Sequence, residues 1–483
     1  MTIHNPARLV LNLAAKAKET EWVEFKVGVF NAETAGRYIS ALANSAIFCF
    51  ENKGYLIFGV EDGTHNIVGT DVRIEREKVG SDTFLFWLSK RLDPRVNVEH
   101  ASIMIDGKTI EILAVDPTYH RPVKFNNVAY IRIDTSLQEL SKHPERERAI
   151  WQITSRFSFE QGIAQSHVNV DTLYDNFEIT KLLTDLGAAR PSIASAVELL
   201  VMEELVTDNQ QGGFDVTNLL VLSAAKDMRR FAGFARKGVR VITYSSKTKL
   251  ETKSDAEGRK GYATSFAPLL AYIMDRIPHK EVLQHGIRNT QYNIPQVAIR
   301  EILANAIIHQ DFTASGDGPV VEIFPDKVKI SNPGKPLIPT DRFIDSPSRS
   351  RNDKFGHLMR RIGICEERGS GIDRALYEIE KHALPPPLFQ QVEDTTVVTL
   401  FGPKAFADMS KEDRIRACYQ HACLGFEKND YMSNASLRKR FGLTDKQYPQ
   451  VSVVLAEAKD AGAIRPLDED QANRNARYVP YWA

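Results

Sequence analysis

Over residues 300–312 polar and apolar side chains recur with a period close to four. Glu301, Asn305 and His309 are spaced four apart, which on a helix stacks a carboxylate, a carboxamide and an imidazole along one face. Ile302, Leu303, Ala306 and Ile307 form the opposite, apolar stripe. Downstream, Val320 to Phe324 and Val328 to Ser331 read as two strands separated by Pro-Asp, the second running into Asn332-Pro333-Gly334. A polar stretch from Ser346 to Asn352 follows. Arg368-Gly369-Ser370-Gly371 then opens a helix at Ile372, and Thr395–Phe401 reads as a closing strand.

The pattern near the N-terminus changes to period two. Residues 10–18 read as a helix, and Trp22 to Phe30 alternates as a strand, with Val23, Phe25 and Val27 on one face and Trp22, Glu24 and Lys26 on the other. A helix over Thr34 to Phe50 and a buried strand Tyr55–Val60 come next, the strand ending at Glu61-Asp62-Gly63. A helix at Ser81–Arg91 and strands near Ala101–Ile105, Thr109–Val115 and Ala129–Ile133 complete an α/β domain over residues 1–150. Residues 151–259 read as a connector. Within it, Asn176 to Thr207 has a helix–turn–helix rhythm before a Gly212-Gly213 hairpin, as in a winged helix, and Lys226 to Arg240 is basic. Beyond Pro385-Pro386-Pro387 and Gly402-Pro403, residues 411–483 read as a second winged helix, with helices over Arg414–Cys423, Leu437–Phe441 and Asp445–Gly462. Its recognition helix would carry Lys446, Gln447, Tyr448 and Gln450. The expected fold class is therefore α/β multidomain.

Composition adds limits. The 483 residues leave room for about three domains. Lys+Arg and Asp+Glu balance at 62 each, so nucleic acid would have to bind a local patch and not a globally basic coat. No apolar run has membrane-spanning length, no signal-peptide core opens the chain, and a reduced, cytoplasmic compartment is the expectation. The four cysteines form no Cys-x-x-Cys pair, and the Cys418…His421…Cys423 spacing falls in an apolar helical pattern that reads as core.

A helix with one buried side and a Glu/Asn/His face can hold a hydrated Mg²⁺ and orient a water, which points to a nucleotide site. Glycines at a helix start let backbone N–H groups approach phosphates, where the helix dipole favours negative charge. A second group of candidates is Glu19, Glu24 and Asp62. Carboxylates drawn together repel unless they share a hard cation, and one or two Mg²⁺ or Mn²⁺ ions there would serve phosphodiester hydrolysis.

The succession of helix, strands, Asn-Pro-Gly turn, polar segment and glycine-led helix resembles the GHKL (Bergerat-fold) ATPases, closest to the RecG-like C-terminal type, over residues 260–405. The resemblance implies ATP as ligand, Glu301 as general base for ATP hydrolysis and Asn305 as Mg²⁺ ligand. It places His309 in the same site, Asn332 and Gly334 at the adenine turn, Gly369 and Gly371 in the phosphate loop, and Thr399 near the base. Asn332 stands where that family carries an aspartate. Its carboxamide oxygen can still accept from the adenine amino group, without charge assistance.

Glu19-Thr-Glu-Trp-Val-Glu24-Phe-Lys26, Ala43-Asn44 and Tyr55-Leu-Ile-Phe-Gly-Val-Glu-Asp62-Gly63 resemble the Schlafen AlbA-2 domain. By it, Glu19, Glu24 and Asp62 correspond to the metal-binding acids of a nuclease, with Lys26 beside them. The combination implies an ATP-regulated, Mg²⁺- or Mn²⁺-dependent nuclease acting on RNA or DNA, a bacterial defence or stress effector that forms homo-oligomers. The alternative is a non-enzymatic, ATP-binding, DNA-binding transcriptional regulator. In a third reading, ATP hydrolysis is itself the main output.

Overall fold

The computed structural model describes residues 3, 5–15, 20–49, 51–118, 121–156, 158–188, 191–209, 212–284, 287–346, 349–365, 370–468 and 476–483. The chain forms two units, Met1–Thr172 with Leu200–Thr217, and Leu173–Leu199 with Asn218–Ala483.

The first unit is built on a four-stranded sheet in the order β1 (Val23–Lys26), β2 (Gly54–Phe58), β4 (Lys108–Val115), β3 (Val98–Ile105), with β1 parallel to β2 and the other pairs antiparallel. Both faces are covered. Leu56 and Phe58 pack with Ile39 and Leu42 of helix α1 (Ala32–Phe48), while Tyr55 and Ile57 pack with Leu9, Leu13 and Phe25. A strand buried on both sides needs apolar residues at every position, which is why 55–60 reads as an unbroken apolar run. The Asn31 side chain starts α1 by accepting from the Thr34 N–H at 2.9 Å. The strand expected over Trp22–Phe30 ends at Lys26, leaving Val27 and Val29 exposed around Gly28. A second sheet carries β5 (Val128–Ile133), which packs against α1.

Residues 151–259 are parted between the two units. The sheet of Ile163–Val168, Phe214–Thr217 and Val206–Asp208 lies in the first, and the helix Ile179–Asp185 in the second.

In the second unit, β6 (Arg240–Tyr244) and β7 (Thr252–Glu257) belong to the large sheet, which therefore begins ahead of the expected boundary at residue 260. Its order is β7-β6-β8-β9-β11-β10, where β8 is Val320–Ile323, β9 Lys327–Pro333, β10 Leu388–Val392 and β11 Thr395–Phe401. β6 runs parallel to β8 and all other neighbours are antiparallel. Helix α2 (Gln296–Ile308) follows Pro295 and is capped by His309, so it begins ahead of Glu301, where the four-residue spacing starts, and ends where that spacing ends. It buries Ala298, Ile299, Ile302, Leu303, Ala306 and Ile307 and packs against α3 (Gly371–Lys381).

Residues 411–483 fold as three helices, α4 (Lys411–Glu427), α5 (Asn434–Arg440) and α6 (Tyr448–Asp460), and a two-stranded wing, Ile464–Pro466 with Tyr478–Pro480. Ala417, Cys418, Leu437, Val451 and Val454 form the core. Cys418 and Cys423 are buried free thiols, Cys418 against Met432 at 3.9 Å, so the Cys/His spacing of this helix is packing. Among the described residues no helix is long and apolar enough to cross a membrane.

Candidate functional site

The second unit holds a cleft of about 1220 Å³, its open mouth included, walled by α2, the end of β9, β11, the start of α3 and the residues Phe343, Ser346, Arg349 and Ser350. Glu301, Asn305 and His309 all line it, so the polar face of α2 is turned into a cavity and not into bulk solvent. Glu301 is 1% exposed. It pairs with Arg300 and lies 4.0 Å from the Arg374 guanidinium. A methyl group built on Gly371 would lie 2.9 Å from Glu301 Oε2 and 3.9 Å from Asn305 Nδ2. The N-terminus of α3 thus abuts the carboxylate and carboxamide of α2, and a side chain there would displace the Glu301 carboxylate. Gly369 lies outside the described residues.

The other end of the cleft is set by strand register. Asn332 on β9 stands directly opposite Thr396 on β11. The Thr396 hydroxyl donates to the Gly334 carbonyl at 2.8 Å, and the Asn332 amide N–H donates to the Pro333 carbonyl at 3.2 Å, which leaves the amide oxygen as an acceptor. Gly334 has φ +109°, and a side chain on it would run into the Arg351 guanidinium and Asp311. Ile330, Val398 and Phe343 supply apolar wall.

Thr399 is not brought to this site. Side chains alternate along a strand, Thr396 and Val398 line the cleft, and Thr399 takes the opposite parity on β11. Thr396 is the hydroxyl beside Asn332, and the register of the Asn332 strand against Thr395–Phe401 is the signal that finds it.

Burial, helped by the nearby Arg351 guanidinium, lowers the His309 pKa, so its imidazole is neutral at physiological pH. Arg351 donates to the His309 carbonyl at 3.3 Å, and Asn352 donates to the carbonyls of Ile308 and Gln310 at 2.8 and 2.7 Å, closing the C-terminal end of α2. Lys335, Arg349 and Arg360 add positive charge to the walls. Residues 349–352 read from sequence only as a polar stretch. Their alternation of Arg and Ser before Asn is the trace of this capping role.

The acids of the first unit are arranged differently. Glu24, 2% exposed, pairs with the Arg132 guanidinium at 2.6 Å and with Lys26, whose side chain is 37% exposed. Arg132, on β5, is fully buried and donates to the carbonyls of Thr20 (2.7 Å) and Val23. Two cations therefore balance the one Glu24 carboxylate. The Lys26 ammonium also lies 4.9 Å from the centre of the Tyr38 ring, whose phenol is held above its ordinary pKa by burial and by Glu24. Asp62 is exposed in the turn after β2, and Glu19 lies outside the described residues. Among the described residues no three His, Cys, Asp or Glu side chains gather as a metal site. Arg132 was not among the sequence candidates, yet a cation set between Ile131 and Ile133 implies a buried counter-charge.

Comparison with known families agrees with this division. Residues 19–141 match the Schlafen, AlbA_2 model. Residues 316–400 match the model described as the C-terminal domain of putative ATP-dependent DNA helicase RecG. The chain fuses these two domain types. Glu24, Lys26, Asp62 and Arg132 fall inside the AlbA-2 segment. Asn332, Gly334, Gly371 and Thr396 fall inside the RecG-like segment, while Glu301, Asn305 and His309 precede it. The pairing of an AlbA-2 domain with an ATPase-like domain gives the protein a nucleic-acid-related, ATP-binding character. No curated protein matches the chain. Among solved structures it is similar to a crystal structure of the DIP2311 protein from Corynebacterium diphtheriae, at 17% identity over 98% of this chain and 97% of that one, with a TM-score of 0.44.

Proposed function

We propose that this protein binds Mg²⁺-ATP in the cleft between α2 and the β9–β11 edge, and that the nucleotide controls how its AlbA-2 domain engages nucleic acid. The observation carrying the reading is the polarity of one cleft. Glu301, Asn305 and the glycine-led start of α3 stand at one end, and the Asn332–Thr396 pair at the other. Adenine fits the second end. Its amino group donates to the Asn332 amide oxygen, the Thr396 hydroxyl reaches the ring edge, and Ile330 and Val398 cover the faces. The triphosphate belongs at the first end, near the α3 N–H groups and the walls carrying Lys335, Arg349 and Arg360. Asn305 offers the hard oxygen donor that Mg²⁺ takes, and the bound ion would neutralise phosphate charge. Glu301 accepts a proton from a water aligned on the γ-phosphate, so slow hydrolysis accompanies binding.

For the AlbA-2 domain the favoured role is binding. Glu24 is engaged by Arg132 and Lys26, and a carboxylate already balanced by two cations does not recruit a third. Lys26 is left partly exposed to meet phosphate. The second reading is metal-dependent cleavage through Glu19, Glu24 and Asp62, favoured by the parallel pairing of β1 with β2, which puts Lys26 and the Asp62 turn at the same sheet end. Self-association around the bound nucleotide belongs to both readings.

Calorimetric titration with Mg²⁺-ATP tests the cleft. The wild-type chain should bind, and Asn332→Ala should lose at least ~10-fold in affinity, about 1.4 kcal/mol. Equal binding by Asn332→Ala would remove the adenine assignment. Incubation of labelled RNA and DNA with Mn²⁺, with and without ATP, separates the two AlbA-2 roles. Cleavage lost in Asp62→Ala selects the nuclease, and ATP-dependent retention without cleavage selects binding.

A further inference from the structure

The wall of the nucleotide cleft facing β10 is supported from behind by the winged helix of residues 411–483. The cleft takes Phe343 and Ser346 from the segment before residue 347. Asp341 of that segment accepts from two winged-helix phenols, Tyr419 to its carbonyl and Tyr481 to its carboxylate, each at 2.7 Å. The Arg342 guanidinium lies 4.8 Å from the centre of the Trp482 ring, and the Trp482 indole N–H donates to the Tyr419 hydroxyl at 3.1 Å. Ile344 is buried with Tyr419, Cys423 and Leu424. The segment that contributes Phe343 to the cleft thus has its other side built into the winged helix.

Helix α3 makes a second connection. Its first residue, Gly371, abuts Glu301 in the cleft, and near its last turn Glu380 meets His421 at 2.9 Å. Glu380 also faces Arg440, which is 4% exposed, across 3.7 Å. That distance is too long for a hydrogen bond. Arg440 Nε and Nη1 and Glu380 Oε1 are buried without hydrogen-bond partners. A displacement of α3 or α5 by about 1 Å would complete the pair, so the joint has a second, better-satisfied arrangement within reach.

From these two connections we infer that the winged helix reads occupancy of the nucleotide cleft. Tyr419, Tyr481 and Trp482 are positioning residues of its wall, and α3 is the element that shifts. The inference rests on the reading of the cleft as an ATP site. By reciprocity of linkage, loosening the winged-helix contacts weakens nucleotide binding, and nucleotide changes the surroundings of Trp482.

The chain reports on itself. Of its four tryptophans, Trp22, Trp87 and Trp151 lie in the first unit and Trp482 in the second, so the emission of the full chain minus that of Trp482→Phe isolates Trp482. Saturating Mg²⁺-ATP should change this difference spectrum. Tyr481→Phe, which removes one hydroxyl, should weaken Mg²⁺-ATP by about 2–12-fold while the nucleotide-free chain still unfolds cooperatively. If wild type binds ATP by calorimetry while the difference spectrum stays still and Tyr481→Phe binds as wild type does, the inference is overturned. If wild type binds no ATP, the reading of the cleft itself fails. If Trp482→Phe does not fold, Tyr481→Phe alone decides, by its affinity.

Discussion

Replacing Arg132 by methionine keeps much of the side-chain volume and removes only the charge and its donors. In the folded AlbA-2 domain this strands the Glu24 carboxylate, which is 2% exposed, and the carbonyls of Thr20 and Val23 lose their donor. Breaking a buried ion pair from one side costs about 3–5 kcal/mol. Lys26 remains, but its half-solvated ammonium is worth at most about 1 kcal/mol to Glu24. The net expectation is a loss of about 3–4 kcal/mol, a large share of the ~5–15 kcal/mol that holds a domain together. Urea unfolding followed by Trp22 and Trp87 emission reads this loss. With m near ~2 kcal/mol/M the midpoint should fall by roughly 1.5–2 M. Glu24→Gln added to Arg132→Met should recover about 1–2 kcal/mol, because the neutral amide is cheaper to bury. A loss below about 1 kcal/mol would refute the argument that Glu24 is held by Arg132. So would rescue of Arg132→Met by millimolar Mn²⁺, since Glu24 would then be acting as a metal ligand.

Three other predictions follow from single contacts. Gly371→Ala should leave the melting temperature nearly unchanged, any gain in helix propensity being offset by the methyl's approach to Glu301 Oε2. It should also weaken Mg²⁺-ATP at least ~10-fold, because its methyl comes 2.9 Å from Glu301 Oε2; an affinity equal to wild type refutes the phosphate-end assignment. Thr396→Val should weaken ATP binding by about 3–10-fold, while Thr399→Val should leave it unchanged; the reverse order in calorimetry would restore Thr399 to the site. Asp373, in the first turn of α3, is raised to about 6 by burial and by the neighbouring Glu427 carboxylate, and its Oδ1 has no hydrogen-bond partner. Its proton is bound more tightly in the folded chain than in the unfolded, so stability should fall as pH rises from about 4 through 6 and stay lower above that. Asp373→Asn should flatten that slope and stabilise the chain at pH 7 by about 1 kcal/mol after screening, measured by urea unfolding at pH 4.5 and 7. A slope unchanged in the variant refutes it.

Elements announced by a local apolar pattern were legible in the sequence. The four-residue spacing of Glu301, Asn305 and His309 located α2 and its cleft face, and the apolar run at 55–60 located a strand covered on both sides. What was not legible depended on register or on distant partners. Thr399 and Thr396 differ by an odd number of positions on one strand, and only the pairing of Asn332 with Thr396 tells which faces the cleft. The pairing of Glu24 with Arg132 spans more than a hundred residues, and a lone sequence does not join them. The part of the large sheet ahead of residue 260 was not legible because β6 and β7 carry Arg240, Thr243, Lys253 and Asp255, too polar to read as part of a core sheet.

The support of the cleft by the winged helix also bears on how much control ATP could exert. Each phenol–Asp341 hydrogen bond contributes about 0.5–1.5 kcal/mol net, so the two together can transmit about 1–3 kcal/mol. Converted by linkage, that is a change of about 5–150-fold in affinity at one site on occupying the other. It is too little to drive an all-or-none switch, because moving a 1:99 equilibrium to 99:1 takes ~5.5 kcal/mol. The contacts therefore suit graded control, in which ATP tunes retention on nucleic acid and does not gate it. A full switch would need further differential contacts. The incomplete Glu380–Arg440 pair is a place in the second unit where one could form, since a buried pair that closes on only one of two states adds its whole gain to that state. Glu380→Gln should then compress the ATP-dependent change in nucleic-acid affinity toward the few-fold range left to the phenols alone. An ATP response of undiminished size in Glu380→Gln would assign all of the coupling to the Asp341 side.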